Sequence, residues 1–321
     1  MFPGILLATA AVSALPVAAL LSPVTLRYTG RECHWENGVR WDDLRQSTNI
    51  EDVRGSTGGG AGLRLGVGGT LLALAAAYFF GVDPRLIMGL VNALPTQSSV
   101  AGAQSGTPQD EQGRFIAAVL GETEDAWGAI FQAQGLRYVP PTLVLYRGQM
   151  PSACGSANSA VGPFYCPADR KVYLDLDFYQ QLADEFQAPG LFAQAYVLAH
   201  EVGHHVQNLL GIAARVHAAQ EQGSQAQANQ LSVKLELQAD CYAGVWAKNA
   251  DETKHILEQG DVASALRAAA AVGDDTLQKR AQGYLVPESF THGTAAQRVS
   301  WFRRGLDGGW IADCDTFSGR S

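Results

Sequence analysis

Residues Leu191 to Leu210 read LFAQAYVLAHEVGHHVQNLL, and this stretch decides the fold. Its apolar residues recur at helical spacing. Inside it His200, Glu201, Val202, Gly203 and His204 form an HExxH pattern. Residues four apart share one helical face, so both imidazoles can reach a single Zn²⁺ ion while Glu201 points along the same side. A carboxylate placed there can take a proton from an attacking water and pass it to the leaving amine. A surface helix carrying a histidine pair spells the same five letters. His205, the third histidine in six residues, is turned off the shared face and reads as structural support.

A hydrolytic zinc site takes three protein ligands and keeps a fourth position open. One way to complete it requires Gly at 207 and His at 210; Gln207 and Leu210 exclude that subclass. A second helix, Gln225 to Asn249, offers Glu236-Leu237-Gln238-Ala239-Asp240 instead. Glu236 and Asp240 again stand four apart and face one way. Glu236 is the expected third ligand, and Asp240 is expected to accept the outer ring N–H of a ligand histidine. The plainer alternative is a solvated acidic face. Against it, Leu235, Leu237, Ala239, Cys241 and Tyr242 surround the two acids, and carboxylates among apolar side chains need a partner.

The remainder of 114–321 reads as one domain. Phe115 to Gln134 has helical periodicity, and Thr142–Tyr146 and Lys171–Leu176 read as strands. Gly162–Cys166 makes a hairpin with the second of these. Asp261–Val272 and Thr294–Arg304 are further helices. A small antiparallel sheet followed by several helices is an α+β arrangement. Lys171–Leu176 is expected to be the edge strand that pairs with an extended substrate.

Before the domain the composition changes. The chain of 321 residues is 47% apolar and 17% charged with a net charge of −8, which excludes a wholly disordered protein and argues against a nucleic-acid partner. Phe2 to Leu26 carries no charge but holds Pro3, Pro16 and Pro23. Leu65 to Val82, LGVGGTLLALAAAYFFGV, is also uncharged, ends in Tyr78, Phe79 and Phe80, and is long enough to cross a bilayer. A buried core helix is the alternative. Arg40, Arg45, Arg54 and Arg64 precede the run and only Arg85 closely follows it. The positive-inside rule therefore predicts a cytoplasmic juxtamembrane segment at 39–64, a transmembrane helix at 65–82, a polar linker at 83–113 and an exported domain.

HEVGH followed by ELQAD resembles the gluzincin peptidases whose third ligand lies in an E-x-x-A-D motif. More closely, the chain resembles the bacterial neutral zinc metallopeptidases. The residues that carry this are Val39–Gly55, Tyr146–Gly148, GPFYCPAD (Gly162–Asp169), AHEVGHHVQ (Ala199–Gln207), ELQADCYAGVW (Glu236–Trp246) and SFTHGTAAQRVSWFRRG (Ser289–Gly305). The resemblance implies a zincin-like domain, one Zn²⁺ and a protein or peptide substrate. Residues 1–38 have no counterpart in the family pattern, and Val39 fits a GTG start, so Met1–Gly38 is expected to be an upstream reading extension. In related enzymes a Thr-His-Pro followed by Arg closes the active-site side; here Thr291-His292-Gly293 and Arg298 stand similarly. His292 then either donates to the oxyanion formed in peptide hydrolysis or caps the next helix, with Arg298 in a buried ion pair.

Cys154, Cys166, Cys241 and Cys314 all follow the apolar run, in the part expected to be exported, where disulfides persist. Cys154–Cys166 and Cys241–Cys314 are the expected pairs, although four cysteines allow three connectivities and the sequence does not choose. A cysteine ligand to zinc is disfavoured because no CxxC spacing occurs. The expected protein is a membrane-anchored zinc metallopeptidase of the bacterial cell membrane, single-pass, with its domain outside the cytoplasm. A zinc amidase acting on cell-wall peptides and a non-catalytic zinc-containing binding protein are the alternatives. Glu201 speaks against the last, since a purely structural zinc site has no use for it.

Overall fold

Helix α3, Leu191–Leu209, is the element around which the others are arranged. The chain enters it through Gly190 at φ +117° and leaves it through Gly211 at φ +68°, both in the region that favours glycine. Between these points most side chains from Phe192 to Gln207 are buried, so the helix runs through the interior. The computed structural model describes residues 39–55, 104–158 and 162–318. In chain order these form β1 (Ile50–Asp52), β2 (Gln104–Ser105), α1 (Glu111–Ala133), β3 (Thr142–Tyr146), β4 (Gln149–Ser152), β5 (Gly155–Asn158), β6 (Phe164–Cys166), β7 (Lys171–Asp175), α2 (Asp177–Asp184), α3, α4 (Ile212–Gln220), α5 (Gln225–Lys254), α6 (Asp261–Ala271), α7 (Asp274–Gln282) and α8 (Ala295–Gly308).

The five-stranded sheet has the order β2-β1-β3-β7-β6. β1 and β3 pair in parallel, Ile50 opposite Leu143, and so do β3 and β7, Leu143 opposite Val172. The outer pairs β1–β2 and β6–β7 are antiparallel. Side chains alternate across the sheet. Ile50, Leu143, Leu145, Val172 and Leu174 face the helices, while Val53, Val144, Tyr146 and Tyr173 face a small cluster that takes in Met150 and Phe164.

Under the helical face the core sets aromatic rings among aliphatic and alanine side chains. Trp127 of α1 meets Tyr242 of α5 edge to face at 5.5 Å, and Phe192 of α3 stacks on Trp246 at 6.0 Å. All four are buried, and each contributes about 1.5–3 kcal/mol through the area it removes from water. α5 and α8 cross at Gly244 and Gly305, where a methyl group on either would run into the other helix's backbone. That contact holds Arg298, on α8, close beside Asp240, on α5.

Both expected disulfides form. Cys154–Cys166 pins the β4–β5 turn to the end of β6, and Cys241–Cys314 ties the C-terminal segment to α5. The second closes a separation of 73 residues, so removing it is expected to cost about 2–4 kcal/mol. The measurement is the denaturant midpoint of the Cys241→Ala/Cys314→Ala chain, which should fall. An unchanged midpoint would show that the bond contributes nothing to stability.

The α+β arrangement is as expected, with three corrections. The sheet is mixed rather than antiparallel, because β3 and β7 run parallel at its centre. β7 is an interior strand paired on both sides, so Lys171–Leu176 has no free edge; the edge strands are β2 and β6. Residues 39–55 belong to the domain and are not a separate juxtamembrane segment. Val39 and Ile50 are buried in the core, Trp41 packs on Phe115, and Arg45 bonds Glu124 and Asp125. A strand hydrogen-bonded to β3 lies on the same side of any membrane as β3, so 39–55 and the later residues share one compartment. Among the described residues no helix is long and apolar enough to cross a membrane. The run at 65–82, most of the linker at 83–113 and the extension at 1–38 lie outside the described residues.

Candidate metal centre

His200 and His204 project from one face of α3 toward Glu236 of α5. Their ligand atoms all lie within 4.8 Å of one another, the only such His/Cys/Asp/Glu group among the described residues. His200 Nε2 stands 3.2 Å from one Glu236 oxygen and His204 Nε2 3.3 Å from the other. Gly203 lets the two helices approach this closely. A methyl there would sit 3.0 Å from the Ala239 carbonyl oxygen and 3.1 Å from its Cα, tighter than such contacts normally are.

The outer ring nitrogens are occupied as a metal site requires. His200 Nδ1 lies 2.9 Å from Asp240 Oδ1 and His204 Nδ1 lies 2.9 Å from Gln207 Oε1. An Nδ1–H donating in each case leaves both Nε2 lone pairs aimed at the shared point. Gln207 is itself held, its NH₂ donating to the Leu235 carbonyl and to Gln238 Oε1. Two imidazole nitrogens and a carboxylate fit tetrahedral Zn²⁺ with a position to spare.

Asp240 is fully buried and carries its charge because four donors reach it. Arg298 Nε bonds Oδ2 at 2.8 Å, while Oδ1 receives Arg298 Nη2 at 2.9 Å, the Tyr196 hydroxyl at 2.5 Å and His200. Burial pushes the Asp240 carboxyl up, but Arg298 and His200 more than offset it and hold the group below the usual carboxylate range. Burial opposes a proton on His200, yet Asp240 and then Glu236 push it up to about 10. The field that favours a proton there also favours a divalent cation. Glu201 is buried on the same face, and burial raises its carboxyl above the usual value.

A cleft of about 790 Å³ opens over these residues, with His200, Glu201, His204, Glu236, His292 and Arg298 in its lining. His292 lines the same cleft and is not among the converging ligand atoms. Asp274, which the sequence reading did not single out, holds its loop. One Asp274 oxygen accepts the backbone N–H groups of Thr291, His292 and Gly293 at 2.8, 2.6 and 2.9 Å, and the other lies 3.2 Å from His292 Nδ1. Thr294, not His292, caps α8, its side chain accepting from the Gln297 N–H. The hydrogen bond to Asp274 raises His292 above its ordinary value. Burial raises Asp274, but the His292 ring and the N–H donors outweigh it and hold the carboxyl low. The pair's contribution to stability is thus complete above Asp274's unfolded value of 3.8 and below His292's of 6.5. It is lost as pH falls through the depressed value or rises through the raised one. Thermal midpoints between pH 3 and 9 should show this loss at both ends in the wild type and a flatter profile in Asp274→Asn; superimposable profiles would refute the coupling.

His205 is fully buried and faces away from the centre, as expected of a supporting residue. Its Nε2 donates to the Val139 carbonyl at 2.7 Å and its Nδ1 lies 3.0 Å from the Tyr165 hydroxyl, which also accepts from Asn208 Nδ2 at 2.9 Å. Burial lowers its pKa to about 4, so the ring is neutral and ties β6 to the back of α3.

Among known proteins, the family described as "Putative neutral zinc metallopeptidase" matches residues 39–317. That range contains every residue of the centre. The chain belongs to this family. The "Uncharacterized protein YpfJ" of Escherichia coli (strain K12) is 48% identical over 287 residues, covering 87% of this chain and 99% of the relative. The "Uncharacterized protein Rv2575" of Mycobacterium tuberculosis (strain ATCC 25618 / H37Rv) is 43% identical over 256 residues, 75% of this chain and 85% of the relative. No solved structure gives a significant match. Membership in the zinc metallopeptidase family agrees with a donor set of two histidines and one glutamate.

Proposed function

We propose that the chain is a zinc-dependent endopeptidase in which His200, His204 and Glu236 hold one Zn²⁺ and Glu201 is the general base and acid. The observation that carries the reading is the pair of outer hydrogen bonds, His200 to Asp240 and His204 to Gln207, which present both Nε2 atoms to one point beside Glu236. Bound there, the ion supplies Lewis acidity to a water and to the peptide carbonyl. Glu201 takes the proton of the attacking water and delivers it to the departing amine nitrogen. Burial raises its carboxyl above the usual value, which makes it a stronger base. His292, turned into the cleft by Asp274, donates to the oxygen that gains charge as the carbonyl is attacked. Asp240, held by Arg298, fixes the His200 ring.

Strand β6 takes the part first expected of Lys171–Leu176. It is an edge of the sheet, and Pro163, Phe164 and Tyr165 line the cleft, so an extended peptide can pair with it while lying over the centre. An open edge beside the centre favours a peptidase over an amidase for compact substrates. The two disulfides support an oxidising, extracytoplasmic compartment. The test is metal-dependent cleavage of casein by the full chain. Activity should vanish on chelation and return with Zn²⁺ at one ion per chain. A chain that binds zinc and leaves casein and a mixed peptide pool intact refutes the reading.

A further inference from the structure

The support behind His204 does not stop at Gln207. Gln207 Oε1 lies 2.9 Å from His204 Nδ1, while the Gln207 NH₂ donates to the Leu235 carbonyl at 2.7 Å and to Gln238 Oε1 at 3.2 Å. Gln238 in turn donates its Nε2 to the main-chain carbonyl of Cys314 at 2.9 Å. Gln207, Gln238 and Cys314 are all buried, so water does not stand in for a lost partner. This row of bonds runs in one direction, because a main-chain carbonyl only accepts. The Cys314 carbonyl takes the Gln238 NH₂ and leaves Oε1 facing Gln207. The Leu235 carbonyl and that oxygen take the Gln207 NH₂ and leave its own Oε1 facing His204. An acceptor there keeps the ring proton on Nδ1 and the lone pair on Nε2, the atom 3.3 Å from Glu236. A Gln207 amide turned over would set its oxygen against the Leu235 carbonyl and its NH₂ against Nδ1. The ring proton would then sit on Nε2 and point at the place a metal ion occupies.

The far end of the row is fixed covalently. Cys314 is bonded to Cys241, which follows Gln238 by one helical turn on α5. The Cys314 carbonyl also accepts the Thr316 N–H at 3.1 Å, and Thr316 Oγ1 donates to the Lys234 carbonyl at 2.8 Å, one turn before Gln238. Segment 314–316 therefore grips α5 on both sides of Gln238, with the Cys314 carbonyl aimed between the two grips. We propose that this C-terminal segment is a positioning element for the metal centre. The Cys241–Cys314 bond holds the Cys314 carbonyl where it orients Gln238, Gln238 orients Gln207, and Gln207 sets the proton on His204. A chain whose Cys241 and Cys314 are thiols accordingly holds Zn²⁺ less tightly than the disulfide-bonded chain, so metal retention follows formation of this bond. Cys154–Cys166, which joins the β4–β5 turn to β6, lies outside the row. This rests on the zinc reading above and adds a condition to it.

The test is a double-mutant cycle read as zinc dissociation constants, from chelator competition on full chains at a temperature where each is folded by circular dichroism. Gln207→Met is expected to weaken zinc binding about 10–100-fold. Gln238→Met leaves Gln207 only the Leu235 carbonyl, and Cys241→Ala/Cys314→Ala frees the Cys314 carbonyl. Each is expected to weaken binding about two- to tenfold, the worth of one hydrogen bond. Combined, these two changes should weaken it no further than the stronger of them alone, because both cut one path. Cys154→Ala/Cys166→Ala should bind zinc like the wild type. Thr316→Val loosens the same segment with both disulfides intact, so it repeats the cycle if the chain lacking Cys241 and Cys314 does not fold. No loss in Gln238→Met, losses that multiply, or an equal loss on removing either disulfide overturns the proposal and keeps the zinc reading. A wild type that holds no zinc overturns both. The expected coupling in a chain that leaves casein intact keeps the proposal and removes the peptidase reading.

Discussion

Glu201→Gln is expected to lower peptide hydrolysis by a factor of about 10²–10⁴ while the chain keeps its zinc. Glutamine has the shape of glutamate and can still accept a hydrogen bond, but it cannot take up a proton at neutral pH. Glu201 is not among the three residues whose ligand atoms converge, so its loss of charge leaves the donor set whole. The measurement pairs zinc content with kcat/KM on a peptide cut by the wild type. Bound zinc with undiminished turnover would mean that another group carries the proton, or that the cleavage comes from a contaminant. The variant also separates this protein from a zinc-containing binding module, in which the substitution would change nothing measurable.

Arg298→Ala is expected to have the largest effect on stability. Arg298 makes two hydrogen bonds to Asp240 in a site where the two side chains are almost wholly shielded from water. Removing one partner of such a pair leaves the other charge buried and uncompensated, at a cost of about 3–5 kcal/mol. For a domain of this size that lowers the melting temperature by on the order of 10 °C. Without the guanidinium, burial pushes Asp240 toward its protonated form, and the carboxyl loses part of its hold on the His200 ring. Zinc affinity is therefore expected to fall by about 10–100-fold. A variant that melts like the wild type and binds zinc as tightly would show that Arg298 neither supports the fold nor orients the ligand.

The readability of the site followed the distance over which its residues cooperate. His200 with His204 and Glu236 with Asp240 each share a helix face, so their spacing alone brings their side chains together. Gln207 lies in the same helix and was visible only as the residue that excluded another ligand pattern. Its role as partner of His204 depends on Leu235 and Gln238, which belong to a different helix. Asp274 is 18 residues from His292 and Tyr196 is 44 from Asp240, and neither pairing leaves a periodic trace. The sheet shows the same contrast. TLVLY and KVYLD stood out as strands because apolar residues dominate them, and such unbroken runs also mark interior parallel strands covered on both faces. Ile50–Asp52, with one apolar residue in three, carries no strand signal of its own and is drawn into the sheet by β3.

The pairing of β1 with β2 sets Asp52 directly opposite Gln104. Everything between them is thus an insertion whose two ends meet at one edge of the sheet. Closing such a loop costs entropy that grows only with the logarithm of its length, about 0.6 kcal/mol per doubling. The domain is accordingly indifferent to how long that excursion is. Replacing residues 56–103 by a short glycine-serine bridge is therefore expected to leave His200, His204 and Glu236 converging as they do.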